Sequence, residues 1–355
     1  MNLSQISLNF KSAVKYIAVG LAALFVIWLL WLLLSFVFNL INPPKLTADL
    51  GFGNLSKPFA YNSTFSSTFF TLDTPGGNLP LPPSLLKVYS IPNLEGKFTS
   101  LDNAKQIAQS NSLDADPVRL SENEWRFISK KNPSRVLTYN IVTGNFNFSY
   151  DWVSDPSSLV GVFKTTDNKI IDKARSFLYS FKSLKPDLKK SQTRITFWKL
   201  IGKNRNQVSS YSEANAVRIE IFRDKIDGKY DIVEGNTNLA SINILISAAQ
   251  RPDQQLLELN FTYWDYDTKQ FATYPPKPAS QAFDELKSGK AYIAAGQTEA
   301  FENINVFEVN LAYFNPTTVV KYFQPVYVFK GEGLVKGVRK SFVAYLPAVS
   351  SSYQQ

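Results

Sequence analysis

The chain contains a long apolar run near its start. No charged residue lies between Tyr16 and Pro44, and residues 16–41 are almost wholly apolar. A helix over these residues would measure ~39 Å at ~1.5 Å per residue, whereas the hydrocarbon core of a bilayer is ~30 Å thick. A cleaved signal peptide would have an apolar region of only ~7–15 residues before a small-residue cleavage site. The run therefore predicts an uncleaved transmembrane helix over 16–41, after a tail over 1–15.

The charges beside this run predict its orientation. Lys11 and Lys15 precede it, and the positive-inside rule places such a tail in the cytoplasm. We therefore expect a single-pass signal anchor at the cell membrane, with a cytoplasmic N-terminus and an extracytoplasmic bulk. One face of the helix is a candidate contact for a partner's transmembrane helix, the alternative being a stripe that faces lipid. Helical spacing brings to this face Trp28, Trp31, Ser35 and Phe38.

Residues 42–98 form a stretch rich in Pro, Gly, Ser and Thr. Its prolines exclude a helix, and Pro75-Gly76-Gly77 is typical of a turn. Aromatic side chains such as Phe65 and Phe69 make the stretch too apolar for a flexible tether. It is predicted to be an extended β spacer that packs along the following module and separates it from the membrane.

Periodicity then predicts helices and strands in alternation. Three segments have the apolar period of a helix, namely 101–108, 169–184 and 278–289. Elsewhere apolar and polar side chains alternate as in half-buried strands. This alternation predicts strands at 124–129, 135–141, 145–152, 194–201, 216–224, 231–234, 241–248, 256–266, 271–274, 305–314, 322–330 and 340–348.

The order of these elements predicts the fold class. A helix followed by antiparallel strands occurs twice, which is typical of an α+β fold. The first helix-plus-sheet module is predicted over 99–160 and the second over 161–349, with a tail over 350–355. The turns at 143–145 and 268–270 lie in loosely matching hairpins, so a duplication of the module stays open.

Several patterns in the second module carry a family resemblance. An Ala-Phe-x-x-Leu-x-x-Gly helix over 282–289 leads to a Pro-Val-Tyr-Val-Phe strand over 325–329 and to an Ala-Tyr-x-x-Ala strand over 344–348. Over about 150–349 these patterns resemble the YycH/YycI regulatory family, and the hairpin TYNIVTGNF over 138–146 resembles PepSY-type modules. The resemblance implies a single-pass anchor whose extracytoplasmic α+β domain modulates a sensor kinase or an envelope enzyme by contact.

The amino-acid composition limits the kinds of catalytic and metal-binding sites that the chain can form. The chain has no His and no Cys, which excludes Ser-His-Asp and Cys-His catalysis, the usual Zn and Fe–S ligand sets, and intrachain disulfides. Carboxylate pairs, Ser-Lys dyads and metal held by Asp or Glu are the remaining options. The acidic stretch Asp265-Tyr266-Asp267 is interpreted as a solvated hairpin end. The aromatic residues around it are interpreted as core rather than as a sugar platform, namely Tyr263, Trp264, Tyr266 and Phe271. No catalytic, cofactor-binding or metal-binding residue is predicted.

Most of the net charge of +9 comes from one basic run. Eight Lys and Arg fall between residues 182 and 205, opposed by Asp187 alone. Nucleic acid is not an expected partner outside the cell, whereas anionic lipid head groups or anionic wall polymers fit such a run. The alternative is a solvated face without a ligand. The candidate anionic-surface residues are Lys182, Lys185, Lys189, Lys190 and Arg194.

Together these features predict a membrane-anchored, extracytoplasmic, non-enzymatic protein that acts by protein–protein contact, either as a regulator or as an envelope accessory. Its expected partner is a membrane or envelope protein such as a sensor kinase or a wall enzyme, and no cofactor is expected. Two alternatives stay open. One is a module that binds wall polymer or glycan at the cell surface, and the other is a carboxylate-dependent envelope enzyme with two carboxylates converging in a pocket.

Overall fold

The computed structural model describes residues 20–21, 24–35, 47–63, 69–92, 100–297, 299–316 and 318–355. The chain divides into two compact units, Met1–Thr47 and Ala48–Gln355. In the first unit residues 20–21 and 24–35 are helical, and the stretch 24–35 is named α1. The second unit contains all the strands that are described.

The predicted transmembrane segment 16–41 lies only partly within the described residues. Across those residues, no helix combines the length and the apolar character that a bilayer crossing requires. The predictions of a single-pass membrane protein, a signal anchor and an extracytoplasmic location are therefore wrong on this finding. Lys11 and Lys15, on which the orientation rested, lie outside the described residues.

The second unit has three α-helices and eighteen β-strands within its described residues. The helices are α2 (Ser100–Ser110), α3 (Asp167–Ser180) and α4 (Ala279–Lys287). The strands are β1 (Phe69–Leu72), β2 (Leu86–Ser90), β3 (Val118–Arg119), β4 (Glu124–Ile128), β5 (Arg135–Asn140), β6 (Phe146–Tyr150), β7 (Thr193–Ile201), β8 (Asn204–Val208), β9 (Ala216–Ile221), β10 (Asp231–Glu234), β11 (Ile242–Ser247), β12 (Leu256–Phe261), β13 (Phe271–Tyr274), β14 (Tyr292–Ala295), β15 (Asn303–Asn315), β16 (Tyr322–Phe323), β17 (Pro325–Val335) and β18 (Val338–Pro347).

The predicted α+β class is wrong, because strands dominate the second unit and assemble into three sheets. The predicted modules 99–160 and 161–349 do not form separate helix-plus-sheet layers. β6 from the first pairs with β12 from the second, with Phe146 opposite Phe261, so both contribute to one sheet. The local patterns located the elements, but they carried no information about which strands become neighbours.

The largest sheet has nine strands in the order β3-β4-β5-β6-β12-β11-β9-β7-β8, and all its pairs are antiparallel. Successive side chains in a strand point to opposite faces. In β9, Val217, Ile219 and Ile221 therefore share one face, which forms a core with the apolar sides of α2 and α3. The two helices contribute to this core Ala104, Ile107, Ala108, Ile170, Ala174 and Leu178.

The other two sheets lie in the C-terminal half. One has the order β1-β15-β17-β18-β14, with β10 also paired to β15, and the other has the order β13-β2-β16. α4 packs here through Ala279, Ala282 and Leu286. The predicted spacer 42–98 contributes β1, which runs parallel to β15, and β2, the central strand of the small sheet. This stretch is thus built into the C-terminal half instead of packing along residues 99–160.

Candidate binding site on the helix-free sheet face

The face of the nine-stranded sheet opposite α2 and α3 carries mostly polar side chains. Strand register places Arg218 beside Thr196 and Leu245, and it places Glu220 beside Arg194 and Asn243. The same rows continue across β12, β6 and β5. We call this surface the polar face, defined by Arg126, Thr138, Asn147, Arg194, Thr196, Trp198, Arg205, Gln207, Arg218, Glu220, Asn243, Glu258 and Asn260.

One fixed ion pair on the polar face joins Arg194 and Glu220. The Arg194 guanidinium donates to both Glu220 carboxylate oxygens at 2.6 Å, and the Ala240 backbone N–H donates to the same carboxylate at 2.8 Å. The Glu220 side chain is only 2% exposed, whereas that of Arg194 is 44% exposed. Hydrogen bonding to Glu220 raises the pKa of Arg194. The buried negative charge of Glu220 is therefore balanced by the guanidinium of Arg194, which is accessible to water.

A second group on the polar face is centred on Glu258. Arg218 donates to Glu258 at 2.7 Å, and Arg205 donates to the same carboxylate at 3.1 and 2.5 Å. Arg218 also donates to the Asn243 side-chain carbonyl at 2.9 Å, and Asn260 donates to that carbonyl at 3.0 Å. The Glu220 and Glu258 carboxylates are thus both engaged by guanidinium groups.

Two open cavities lie on the polar face. The first has a volume of about 610 Å³ and lies between strands β7, β8 and β9 and the loop residues Thr237–Leu239. The second has a volume of about 530 Å³ and lies over β4, β5, β6 and β12, bounded by Thr318 and Val319. At ~4.8 Å between neighbouring strands, the strand order puts their centres about 22 Å apart. One elongated ligand would reach both.

The loop beside the first cavity is bonded to the polar face. Arg194 donates to the Asn238 carbonyl at 3.3 Å, and Asn243 donates to the Ala240 carbonyl at 2.8 Å. At the base of the loop the Ser241 hydroxyl and the Asn315 amide both donate to the Glu234 carboxylate. Burial raises the pKa of Glu234. These bonds hold the wall of the first cavity in place without a ligand.

The five candidate anionic-surface residues follow the end of α3 and do not share one surface feature. Arg194 lies in β7 and is paired with Glu220 on the polar face. Lys185 is paired with Asp265 at 2.8 Å, and Lys182 donates to the Gln106 side chain at 3.4 Å. Lys189 and Lys190 are exposed and form no ion pair within the described residues. Whether they bind an anionic surface stays a prediction.

The hairpin aromatics are used mainly in packing. Tyr263 and Trp264 are buried, and the Tyr263 hydroxyl donates to Asp187 at 3.0 Å. The Arg223 guanidinium lies 3.8 Å from the centre of the Tyr263 ring and is paired with Asp187 at 3.1 Å. Tyr266 stacks on Phe323 with ring centres 5.4 Å apart. These contacts hold Tyr263, Trp264 and Tyr266 in packing, whereas Phe271 is 38% exposed.

The remaining candidate chemistry is not assembled in the described part of the chain. Those residues contain no group of three or more His, Cys, Asp or Glu able to hold a metal ion. Trp28 and Trp31 are exposed on α1, Ser35 is its last described residue, and Phe38 lies outside the described residues. Whether this face contacts a partner's helix stays a prediction.

Most residues of the polar face were not predicted as site residues from the sequence. Only Arg194 was among the candidate residues, and it was chosen for its charge rather than for its neighbours. The available signal was the alternation in strands such as AVRIEI over 216–221, which places Arg218 and Glu220 on one side. That these side chains lie beside Glu258 and Asn243 follows only from the strand pairing.

The chain matches no protein-family model and no curated protein. Among solved structures it is similar to an uncharacterized protein from Eubacterium rectale ATCC 33656, with 12% identity and a TM-score of 0.41 over 76% of this chain and 84% of that one. The resemblance to the YycH/YycI family and to PepSY-type modules stays a prediction.

Proposed function

We propose that this protein is a non-catalytic binding protein that holds a glycan chain across the polar face. The observation that carries the proposal is the presence of two cavities on one helix-free sheet face, lined by fixed polar side chains. Sites that recognise small molecules are concave and place a few polar groups in fixed positions. Here the polar groups are numerous and extend along a line, which suits an extended ligand.

The lining chemistry favours a ligand rich in hydroxyl groups. Eight side chains around the second cavity are Asn or Thr, and its one carboxylate is Glu124. Amides and hydroxyls both donate and accept hydrogen bonds, as sugar hydroxyls do. In the first cavity Trp198 and Gln207 lie side by side across β7 and β8. Trp198 offers an apolar ring face and Gln207 an exposed amide.

The charge balance favours a neutral or weakly anionic glycan over a highly charged polymer. Three guanidinium groups, those of Arg194, Arg205 and Arg218, are matched by the two carboxylates of Glu220 and Glu258. One positive charge remains at this end of the face. Because Glu220 and Glu258 are each bonded to at least one guanidinium, this end of the face is suited to recognition.

Affinity electrophoresis of the full chain in gels that contain soluble polysaccharides tests this proposal. A panel of neutral glucans and mannans and an anionic wall polymer should include at least one that retards the protein. Gln207→Ala and Asn147→Ala remove one exposed amide from each cavity. A hydrogen bond contributes ~0.5–1.5 kcal/mol, so each variant should bind about twofold to tenfold more weakly.

Asn206→Ala is the matched control, because Asn206 is exposed and neighbours Gln207 but points to the opposite side of β8. It should be retarded like the parent. Binding carried by neutral hydrogen bonds should also change little between low and high salt. The proposal fails if no polysaccharide retards the parent, or if the cavity variants and the control behave alike.

A further inference from the structure

A proline-rich segment outside the polar face has a backbone that its sequence fixes. In Leu79-Pro80-Leu81-Pro82-Pro83 every residue is a proline or precedes one. Proline holds φ near −65°, and a residue before proline is confined to extended or polyproline II geometry. Asn78, just before the segment, is extended at φ −109° and ψ 148°. Residues 79–83 are therefore confined to extended, polyproline II-like geometry, and three of them have no backbone N–H.

Exposure varies along the segment. Leu79, Pro82 and Pro83 are half-buried, and Leu79 packs on the core of the C-terminal half. Pro80 is exposed. Leu81 is 96% exposed, the highest value of any large apolar side chain in the described residues. The segment thus packs inward through Leu79, Pro82 and Pro83 and presents Pro80 and Leu81 to solvent.

The segment is held firmly at both ends. On one side the Thr74 hydroxyl donates to the Asn78 carbonyl at 2.8 Å. On the other side begins β2, whose Leu86 and Val88 are buried between β13 and β16. A ligand that is already ordered loses little conformational entropy when it binds, so its contacts contribute more fully to affinity.

The surroundings of the segment indicate the chemistry of an occupant. A cavity of about 470 Å³ lies between the prolines and Tyr230, and it is bordered by Lys225, Lys229 and Asp231. Lys225 is paired with Asp231 at 3.0 Å. The Lys229 ammonium lies 5.1 Å from the centre of the Tyr230 ring and has no carboxylate partner within the described residues. The rim of the cavity therefore keeps one uncompensated positive charge.

We propose that residues 79–83 are displayed as a ligand for a protein domain with an aromatic-lined groove edged by carboxylates. Such grooves take preformed polyproline II helices of the Pro-x-x-Pro type, which Pro80 and Pro83 provide. Leu81 fills the groove, and Lys229 faces the acidic edge. This surface is separate from the polar face, so it gives the chain a protein partner beyond the proposed glycan.

An array of immobilised recombinant SH3 and WW domains, probed with the full chain, tests this proposal. At least one domain should bind the parent. Leu81→Ser should weaken that binding about tenfold to hundredfold, since full burial of a leucine side chain is lost. The double variant Pro80→Ala/Pro83→Ala should weaken it as well, because the fixed backbone is lost.

Val160→Ser is the control, since Val160 is also an exposed aliphatic residue and lies away from the segment. It should bind like the parent, and the thermal unfolding of Leu81→Ser should match that of the parent. The proposal is overturned if no domain binds the parent, or if Leu81→Ser binds as the parent does. A soluble glycan that binds the polar face should not compete, which separates this result from that of the proposed function.

Discussion

Removing Arg194 should destabilise the protein more than removing its buried partner Glu220. Glu220 is 2% exposed and depends on the Arg194 guanidinium for its two shortest hydrogen bonds. In Arg194→Met the carboxylate stays buried without its counter-charge. In Glu220→Gln the remaining charge belongs to Arg194, which is 44% exposed and accessible to water. Substitution of the more buried residue of a pair is usually expected to cost more stability. Here we expect substitution of the more exposed residue, Arg194, to cost more.

The expected magnitudes follow from this geometry. Breaking a buried pair so that a charge is left uncompensated costs ~3–5 kcal/mol, and Arg194→Met should fall near 3 kcal/mol because one partner is half-exposed. In Glu220→Gln the new amide keeps the shape, and its carbonyl still accepts one bond, so the cost should be about 1 kcal/mol. Arg339→Met, in a pair whose partners are both exposed, should cost ~0–1 kcal/mol.

Urea unfolding of the full chain at about pH 7.5 and pH 5.5 measures these differences. An unpaired buried carboxylate has a raised pKa, so protonation relieves its penalty. The cost of Arg194→Met should therefore shrink as the pH falls, whereas that of Arg339→Met should not. The reasoning is refuted if Arg194→Met costs no more than Arg339→Met, or if Glu220→Gln proves the more damaging change.

Two further predictions concern other charged groups. Because burial raises the pKa of Glu234, its ionisation opposes folding, and the parent should lose stability relative to Glu234→Gln as the pH rises above ~4.3. Parallel curves of unfolding free energy against pH for the two proteins would contradict this. Replacing the four exposed or surface-paired lysines of the basic run with Gln should shift stability by no more than about 1 kcal/mol. It should weaken binding to anionic vesicles at low salt, and equal binding by variant and parent would show a merely solvated face. The residues are Lys182, Lys185, Lys189 and Lys190.

Local periodicity predicted the positions of most elements. The helix expected over 101–108 is Ser100–Ser110, and the strand expected over 216–224 is Ala216–Ile221. The spacing of apolar side chains on one face of a helix or strand depends only on a few neighbouring residues. It can therefore be recognised in the sequence without knowledge of the fold. The strand Asn204–Val208 was missed because it lies at the sheet edge and has no apolar side to reveal it.

Strand pairing was not predictable in the same way. β6 lies beside β12, and β10 runs parallel to β15, although neither pair is connected by a short turn. Such neighbours are chosen by packing across the whole molecule. For this reason the separate helix-plus-sheet modules were wrong, although the strands that compose them were well located.

The candidate site shows the same limit. The charge of Arg194 was evident, but its attachment to Glu220 was not, because 26 positions separate them along the chain. Alternation in β9 shows that Arg218 and Glu220 share a side. Only the register across β11 and β12 shows that Glu258 and Asn243 lie on the same side. A surface whose side chains come from eight strands therefore cannot be recognised from one sequence segment at a time.

The central position of β2 in its small sheet has a consequence for synthesis. β2 is complete at Ser90, whereas its neighbours β13 and β16 begin at Phe271 and Tyr322. The Tyr313 hydroxyl, which bonds the Lys87 carbonyl, comes 226 positions later in the chain. At ~5–20 residues per second, β2 waits about 10–50 s for its partners while the ribosome continues. Throughout that interval an apolar strand with two open edges is unprotected, which makes the nascent chain, rather than the finished protein, the form that most depends on chaperones.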